Sequence, residues 1–371
     1  MIKFVALSGF LGAGKTTTLI AAARELERQG HRVAVVTNDQ GVDLVDTQLV
    51  RSSLDRVAQV TGGCFCCRFE DLLSVVEAVL EREGADTVIA EAVGSCTDLQ
   101  ATVARPLAKF YGAQFSVAPL TTVVDPGRLR AFAHAARRGE PESDLSYLFG
   151  RQLAEAEIIA LNKADLLQGQ QLEDLLADLG VNPANHRLVH YSAKTGAGLT
   201  DLIQAWESTT SWRGDLDIDY DRYAAAEAQL AWLNLRLELR ADGTPDFRPA
   251  NWAVAALNHL AQIAQQGSAE IGHAKISIST DAGMVKSSVT ERGGQPSLDL
   301  LEVDRAPSGQ ATVNARIACE PAALDEWIAA AIRHADSAAG TTSSVADQPP
   351  AFKPGYPQPQ HHLSAAEMAS A

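Results

Sequence analysis

The chain has 371 residues, of which 46% are hydrophobic and 21% charged, and its formal net charge is −15. This composition is typical of a folded globular protein, and the length predicts more than one domain. The negative charge argues against a nucleic acid or an anionic membrane surface as the partner, because both are polyanions. The sequence shows neither a signal peptide nor a run of roughly 18 apolar residues that would span a bilayer, so we expect a cytoplasmic protein.

Residues 1–206 alternate short apolar strands with helical patterns, which predicts a mostly parallel sheet covered by helices on both faces. Helical patterns predict helices at Thr16–Gln29 and Arg68–Glu83, and each segment is followed directly by a glycine, which is common just after the end of a helix. The predicted strands are Ile2–Leu7, Val33–Asn38, Val57–Val60, Thr87–Glu91, Leu120–Asp125, Glu157–Asn162 and Arg187–Ser192.

The pattern changes after this α/β part. Residues 212–228 are acidic and aperiodic, which indicates a linker after a first domain at 1–211. Residues 229–335 combine alternating strands with two helices and predict a smaller α+β domain with an antiparallel sheet, a candidate for recognition of a client protein. Residues 336–371 are rich in Ser, Ala, Pro and Gln and predict a disordered tail.

The stretch GFLGAGKTT follows the first predicted strand and opens the first predicted helix. It fits the G-x-x-x-x-G-K-[ST] pattern of a P-loop, whose glycines let backbone N–H groups approach phosphate oxygens. The lysine neutralises the β- and γ-phosphates, and the hydroxyl of the next residue is a ligand of Mg²⁺. The nucleotide-binding residues predicted here are Gly9, Gly12, Ala13, Gly14, Lys15, Thr16 and Thr17, and Lys15 is also predicted to be catalytic.

Two further motifs, each at the carboxyl end of a predicted strand, indicate which base is bound. LNKAD contains an N-K-x-D pattern, in which an aspartate accepts from the two guanine donors that adenine lacks, and YSAKTGAG offers a backbone N–H to guanine O6. Three motifs in this order predict GTP or GDP as the ligand. The residues concerned are Asn162, Lys163, Asp165, Ser192, Ala193 and Lys194.

Acidic residues at strand ends predict how Mg²⁺ and water are held. Glu91 ends the strand in TVIAEAVG, and Gly94 leaves a backbone N–H for the γ-phosphate. Asp39 ends the second strand and is a candidate to contact Mg²⁺ or to orient water, so Thr16, Glu91 and Asp39 form the predicted Mg²⁺ set. No arginine finger is evident, so unaided hydrolysis is expected at a rate on the order of 10⁻⁴–10⁻² s⁻¹.

Three of the five cysteines lie in TGGCFCC, directly before the second predicted helix. A helix N-terminus lowers thiol pKa values and so favours the thiolate that binds metals, and zinc sites have four ligands, typically Cys or His. Cys64, Cys66 and Cys67 are therefore predicted to hold zinc or another transition metal. Buried packing and a redox pair are the alternatives. Cys96, two positions after Gly94, is a candidate fourth ligand or a loop residue without a role.

With its P-loop, its GGCFCC stretch and its NKAD motif, the chain resembles the CobW family of P-loop GTPases. The resemblance covers roughly residues 1–206, and the family is related to GTPases that help insert nickel into hydrogenase and urease. It implies a GTP-dependent metallochaperone with a P-loop NTPase fold. It assigns Lys15 and Thr16 to phosphate and Mg²⁺. The implied metal ligands are Cys64, Cys66 and Cys67, and the implied guanine contacts are Asn162 and Asp165.

The expected function is a Mg²⁺-dependent GTPase that delivers a transition metal to a client metalloprotein. Zinc is the default metal, with Co²⁺, Fe²⁺ or Ni²⁺ as alternatives, and loops near Asp39–Asp46 and Gly94–Asp98 are expected to couple nucleotide to metal. Two other functions stay open: a GTPase gatekeeper of cofactor loading on a partner enzyme, and a zinc sensor or buffer with GTP as a structural ligand. A homodimer is also left open.

Overall fold

The protein is described from a computed structural model that covers residues 1–39, 45–166, 174, 176–177, 181–212, 214–347 and 349–369. The predicted switch segment Asp39–Asp46 lies partly outside these residues. Two compact units are formed: Met1–Gln40, Leu49–Ala226 and Tyr356–Ala371 make the first, and Gly41–Gln48 and Glu227–Gly355 make the second. Among the described residues, no helix is both long and apolar enough to cross a membrane.

A parallel sheet forms the centre of the first unit. Its central strands are apolar and buried, which explains why they could be predicted from the sequence as continuous apolar runs. The strands are β1 (Ile2–Ser8), β2 (Val33–Asp39), β3 (Val57–Thr61), β4 (Thr87–Glu91), β5 (Phe115–Val117), β6 (Thr121–Val124), β7 (Ile158–Leu161) and β8 (Arg187–His190). They pair in the order β3-β2-β4-β1-β6-β7-β8, with β5 on β1, and every pair is parallel.

Helices connect these strands and cover the sheet, as predicted. One core cluster forms where the apolar stripe of the first helix, including Leu19 and Leu26, packs with Leu7, Ile89 and Trp206. The two predicted helices are present with shifts of one residue. The helices along this part of the chain are α1 (Lys15–Arg28), α2 (Val45–Ser53), α3 (Phe69–Glu83), α4 (Arg105–Tyr111), α5 (Pro126–Arg137), α6 (Asp144–Glu155), α7 (Leu199–Ala205) and α8 (Tyr220–Gln229).

The second unit is built on an antiparallel sheet, so the predicted fold class is confirmed for both parts of the chain. Its core consists of Leu, Ile, Val and Ala from the strands together with one face of each of two helices. The elements are β9 (Ala231–Ala241), α9 (Pro249–Gln266), β10 (Ile271–Thr280), β11 (Gly283–Val289), β12 (Ser297–Leu301), β13 (Ser308–Ile317), α10 (Pro321–Ala339) and β14 (Thr341–Asp347). The sheet order is β12-β11-β10-β13-β9-β14.

The prediction of a disordered tail from residue 336 is wrong. Helix α10 continues to Ala339, and β14 then pairs with β9 along an antiparallel ladder. The side chains of β14 are mostly exposed. Backbone hydrogen bonds hold an edge strand without apolar side chains, so composition does not reveal it. Further on, residues 356–369 belong to the first unit and end in a short helix, α11 (Ala365–Ala369).

Candidate functional site

The P-loop connects β1 to α1 at the carboxyl edge of the parallel sheet. Gly9, with a φ of 132°, passes so close to β6 that a Cβ atom there would lie 2.2 Å from the Val123 carbonyl oxygen. Gly14 precedes α1 with a φ of 92°, and its missing Cβ leaves room for the Asn162 amide. Glycine is thus required at both ends of the loop, which turns its backbone into a cradle.

The P-loop lysine and threonine face two different sets of partners. The buried Lys15 ammonium donates to the carbonyl oxygens of Gly9, at 2.7 Å, and Phe10, at 3.3 Å. The Thr16 hydroxyl donates to the Glu91 carboxylate at 2.9 Å. A hydroxyl and a carboxylate held together supply the oxygen ligands that Mg²⁺ prefers, so these residues fit the ion.

The third predicted Mg²⁺ residue, Asp39, is the last residue of β2. Its backbone therefore ends at the same edge of the sheet as Glu91, because β2 and β4 are parallel neighbours. The Asp39 side chain lies outside the described residues.

Asn162 joins the three nucleotide motifs through its buried amide. Its Nδ2 donates to the P-loop carbonyl of Ala13 at 3.0 Å. Its Oδ1 accepts from the backbone N–H of Lys163 at 2.8 Å and from that of Ala193 at 3.0 Å. Asn162 therefore positions the P-loop, the N-K-x-D loop and the S-A-K loop relative to one another.

The other N-K-x-D residues lie on the loop that follows β7. Lys163 has a φ of 57°, and its ammonium reaches the Gly12 carbonyl at 3.2 Å and the carboxylate of Asp125 at 2.6 Å. Asp165 is exposed in a short 3₁₀ helix, Ala164–Leu166. Asp125, which also caps α5, was not predicted as part of the site, since an aspartate before a helix is typical of an ordinary N-cap.

The S-A-K loop after β8 is shaped by hydrogen bonds within the loop. The Ser192 N–H donates to Ala197, and the Ser192 hydroxyl accepts from Thr195 at 3.3 Å. Lys194 is exposed beside this turn. The preceding Tyr191 shares a 2.6 Å hydrogen bond with Thr18 of α1, which ties this loop to the helix that begins in the P-loop.

The loop after β4, which contains Gly94 and Cys96, is fastened by α6. Gln152 of α6 is fully buried, and its Nε2 donates to the carbonyl oxygens of Gly94, at 3.1 Å, and Cys96, at 2.7 Å. Glu155, one turn later, accepts from the Leu99 N–H at 2.7 Å. Burial raises the pKa of Glu155 to about 8. The segment that follows Glu91 is therefore held along its length by one helix.

The three clustered cysteines lie between β3 and α3, with their sulfur atoms close together. The Sγ–Sγ distances are 2.8 Å for Cys64–Cys66, 3.4 Å for Cys64–Cys67 and 3.7 Å for Cys66–Cys67. Cys64 and Cys66 are buried, whereas Cys67 is half-buried. These thiols form the one group of at least three potential metal ligands found among the described residues.

Asn38, the neighbour of Asp39 on β2, holds this cysteine loop in place. Its Nδ2 donates to the carbonyl oxygens of Val60 and Gly63, and its Oδ1 accepts from the Phe65 N–H at 3.0 Å. The end of β2 thus carries a predicted water- or Mg²⁺-binding residue and, beside it, the amide that shapes the thiol cluster. The apolar run of β2 does not reveal this role, because the partners of Asn38 lie 22 to 27 residues further along the chain.

Hydrogen bonds within the cluster give the three thiols different pKa values. Hydrogen bonds with Cys66 and Cys67 hold the pKa of Cys64 well below its usual value. The bond with Cys64 raises the pKa of Cys66 and raises that of Cys67 to about 11. Cys64 is therefore the first thiolate that the cluster offers to a cation.

Cys96 is fully buried, and its thiol hydrogen-bonds to Cys64 and Cys66. The loop after β4 therefore brings a fourth sulfur into contact with the cluster. Cys319, by contrast, lies just after β13 in the second unit.

A glycine-rich loop connects a strand to a helix at the carboxyl edge of a parallel sheet, and Asn162 binds it to an N-K-x-D loop. This combination defines a P-loop nucleotide-binding protein. Residues 3–188 match the family model described as CobW/HypB/UreG, nucleotide-binding domain. The chain belongs to this family.

Among curated proteins, the zinc chaperone CobW of Pseudomonas aeruginosa is 31% identical over 210 residues, which is 50% of this chain and 55% of that protein. The zinc-regulated GTPase metalloprotein activator 1 of Schizosaccharomyces pombe is 28% identical over 45% of this chain and 40% of its own. The chain thus spans about half the length of these relatives. The solved structure of HypB from Helicobacter pylori in complex with nickel is 18% identical, with a TM-score of 0.40, over 57% of this chain and 91% of that one.

Proposed function

We propose that this protein is a Mg²⁺-dependent GTPase that couples GTP binding and hydrolysis to the loading and release of a transition metal, zinc by default. The observation that carries the proposal is the cluster of Cys64, Cys66 and Cys67, whose sulfur atoms lie within 3.7 Å of one another. The P-loop of the same unit begins on the same sheet. Zinc appears in the names of the relatives from P. aeruginosa and S. pombe, and GTPase in that of the second.

For the nucleotide, each P-loop residue has a distinct proposed role. Lys15 exchanges its carbonyl partners for the β- and γ-phosphate oxygens, and the N–H groups at the start of α1 face the same anions. Thr16 and Glu91 hold Mg²⁺, which neutralises charge on the phosphates, while Asp39 orients water. Asp165 accepts from the guanine base, and the Ser192–Lys194 loop donates to it.

Two connections support coupling between the nucleotide and the thiols. On one side, Asp39 adjoins Asn38, whose amide holds the cysteine loop. On the other, Gly94 is two residues from Cys96, and Gln152 binds the carbonyls of both. A shift of either loop on γ-phosphate binding would change the geometry of the thiol set. Linkage then requires metal and GTP to strengthen or weaken each other by one common factor.

The metal is cargo in this proposal, and its acceptor is a client metalloprotein. Three thiolates from one loop, with Cys96 as the fourth ligand, suit zinc best, since soft sulfur ligands in a tetrahedral set favour it. Recognition of the client is assigned to the second unit.

The test is anaerobic metal analysis of the full chain with GDP and then with a non-hydrolysable GTP analogue. The test variant replaces Cys64, Cys66 and Cys67 with serine, and the matched control is Cys319→Ser, a cysteine of the second unit. We expect about one zinc per chain in the wild type and in the control, none in the triple variant, and a nucleotide-dependent affinity. Unchanged metal content in the triple variant, with a partner still bound, would instead support the gatekeeper function. Metal binding without GTP turnover in the presence of Mg²⁺ and client would support a zinc sensor or buffer.

A further inference from the structure

Residues 356–363, called here the C-terminal strap, lie across the cysteine loop within the first unit. The Gln358 N–H donates to the Cys67 sulfur at 3.2 Å, and the Gln360 N–H donates to the Cys66 carbonyl at 2.9 Å. These two bonds reach adjacent cysteines of the cluster. The strap therefore contacts the site at the half-buried thiol, Cys67, which is the most accessible of the three.

The sequence of the strap, YPQPQHHL, matches this arrangement residue by residue. Alternate N–H groups of an extended chain point to the same side, so Gln358 and Gln360 both face the loop. Pro357 and Pro359 occupy the intervening positions, where no N–H is needed. The prolines also restrict the preceding residues to extended conformations, which lowers the entropic cost of ordering the strap.

The strap also completes the start of α3, which follows the cysteines directly. Arg68 precedes α3 and makes no side-chain capping hydrogen bond. The Gln360 amide oxygen instead accepts from the Glu70 N–H at 3.0 Å, and the His361 ring packs edge-on against Phe69, with ring centroids 4.9 Å apart. A segment distant in sequence thus satisfies a helix N–H that the local sequence leaves without a cap.

Beyond the cysteine loop, the strap reaches the loop that carries Cys96. The His362 imidazole lies 3.0 Å from the Asp98 carboxylate, and the Leu363 N–H donates to Ala101 at 2.9 Å. The fully buried Arg105 donates to the Leu363 carbonyl at 2.8 Å and so fixes the end of the strap. The strap therefore bridges the two loops that bring the four cysteines together.

We propose that the C-terminal strap closes the metal centre, with the Gln358 N–H donating to metal-bound Cys67, and that the strap must detach before the metal can leave. This inference rests on the proposed function, in which the cysteines hold a metal. It makes the strap a gate. An acceptor that offers thiolate or imidazole ligands must approach at Cys67, where the strap lies. An outer hydrogen bond to a ligand sulfur orients the ligand and stabilises its charge, so its loss weakens the site.

The test compares two substitutions of the same residue in the full chain. Gln358→Pro removes the N–H but keeps an extended backbone, whereas Gln358→Ala keeps the N–H and removes only the side chain. Each protein is loaded anaerobically with one equivalent of Zn²⁺ and challenged with a colorimetric chelator. We expect zinc loss to be about tenfold faster in Gln358→Pro than in the wild type, which is the lower end of the range for outer hydrogen bonds to metal ligands. In Gln358→Ala, zinc should be lost at the wild-type rate. Equal rates in the two variants would overturn the inference while leaving the proposed function intact.

A second measurement does not depend on zinc. Alkylation of Cys67 by iodoacetamide in the metal-free chain should be faster in Gln358→Pro than in Gln358→Ala, because the strap covers this sulfur. If the wild type holds no zinc, the proposed function fails, and alkylation still reports on the strap. If Gln358→Pro does not fold, hydrogen exchange of the unaltered chain decides: protection of the Gln358 and Gln360 amides supports the strap, and exchange at the rate of an unstructured peptide refutes it.

Discussion

At the scale of single residues, amide side chains organise the candidate site and charged residues occupy it. Asn162 links the P-loop to the N-K-x-D and S-A-K loops, Asn38 shapes the cysteine loop, and Gln152 fastens the loop with Gly94 and Cys96. An amide donates and accepts at once, so a single buried Asn or Gln can join two segments without carrying a charge into the interior. The titratable residues keep the proposed roles of binding phosphate, Mg²⁺ or a transition metal.

Asn162→Ala should therefore weaken nucleotide binding by loosening the loops of the protein, and not only by removing a contact with the base. Its removal leaves the Ala13 carbonyl and the Ala193 N–H without their partner, so the free energy of unfolding should fall by about 2 kcal/mol. GDP affinity should fall about tenfold or more, because nucleotide binding must then also order the loops. A cost of about 1.4 kcal/mol corresponds to a tenfold higher dissociation constant. Urea denaturation without nucleotide and titration with a fluorescent GDP analogue measure the two effects.

The matched control is Asn182→Ala, an exposed asparagine whose side chain accepts from the Ala184 N–H in a surface turn. It should leave both quantities near the wild-type values. If Asn162→Ala weakens GDP binding with no change in the stability of the nucleotide-free protein, its role is base contact alone.

At the scale of elements, the nucleotide site depends on how closely the P-loop passes β6. Gly9 lies against the Val123 carbonyl, so the loop can follow its path only without a side chain. β1 pairs with β6 in a register that sets Ser8 beside Thr122, so the next residue, Gly9, comes beside Val123. The glycine pattern of the motif thus records a packing constraint as well as phosphate binding.

Gly9→Ala should consequently disrupt the P-loop more than an alanine at another glycine of positive φ. Its Cβ would lie 2.2 Å from a backbone oxygen, which cannot move without displacing β6. The matched control is Gly139→Ala, where φ is 69° and a Cβ would meet nothing within 4 Å. We expect the control to lose about 1 kcal/mol of stability, the ordinary cost of a left-handed residue, and Gly9→Ala to lose about 3 kcal/mol and most of its nucleotide affinity. Equal losses in the two variants would show that the contact with β6 is unimportant.

The elements also show why part of the structure could be predicted from the sequence. The P-loop, N-K-x-D and cysteine motifs are contiguous, and the buried parallel strands are apolar along their length, so local patterns suffice. Asn38, Gln152 and the C-terminal strap act on segments far away in the sequence, and an isolated amide has no periodicity to indicate its partner. The scarcity of apolar residues predicted disorder for residues 336–371. However, β14 and the strap are held mainly by backbone hydrogen bonds, which do not depend on apolar side chains.

At the scale of the whole molecule, the two units are interleaved along the sequence. The second unit includes Gly41–Gln48, the stretch that follows β2, and the first unit resumes at Tyr356. Within the second unit, the Val45 N–H donates to Asn314 at 2.8 Å, and Gln48 bonds to Thr312 and Ser277. Residues 45–48 are therefore an integral part of the antiparallel sheet unit, although they belong by sequence to the nucleotide-binding half of the chain.

Asp46 is the charged anchor of that segment and the basis of a pH prediction. Burial opposes ionisation, but the ammonium groups of Lys275 and Lys286 outweigh it and hold the pKa of Asp46 far below its usual value. A carboxyl with a depressed pKa stabilises the fold above its unfolded pKa, and that stabilisation is lost as the pH falls. Asp46→Asn leaves two largely buried ammonium groups without their counter-charge and should lower the free energy of unfolding by about 3 kcal/mol.

Chemical denaturation followed by tryptophan fluorescence at several pH values measures this difference. Between pH 5 and 8 Asp46 is ionised in both the folded and the unfolded state, so its own titration leaves the difference unchanged there. Below about pH 4 the unfolded Asp46 takes up a proton while the folded one does not, so the wild type loses its advantage and the two proteins converge. The control is Asp55→Asn, an exposed aspartate, which should match the wild type throughout. A difference that persists undiminished at low pH would mean that Asp46 acts through its shape and hydrogen bonds, and that its charge does not anchor the segment.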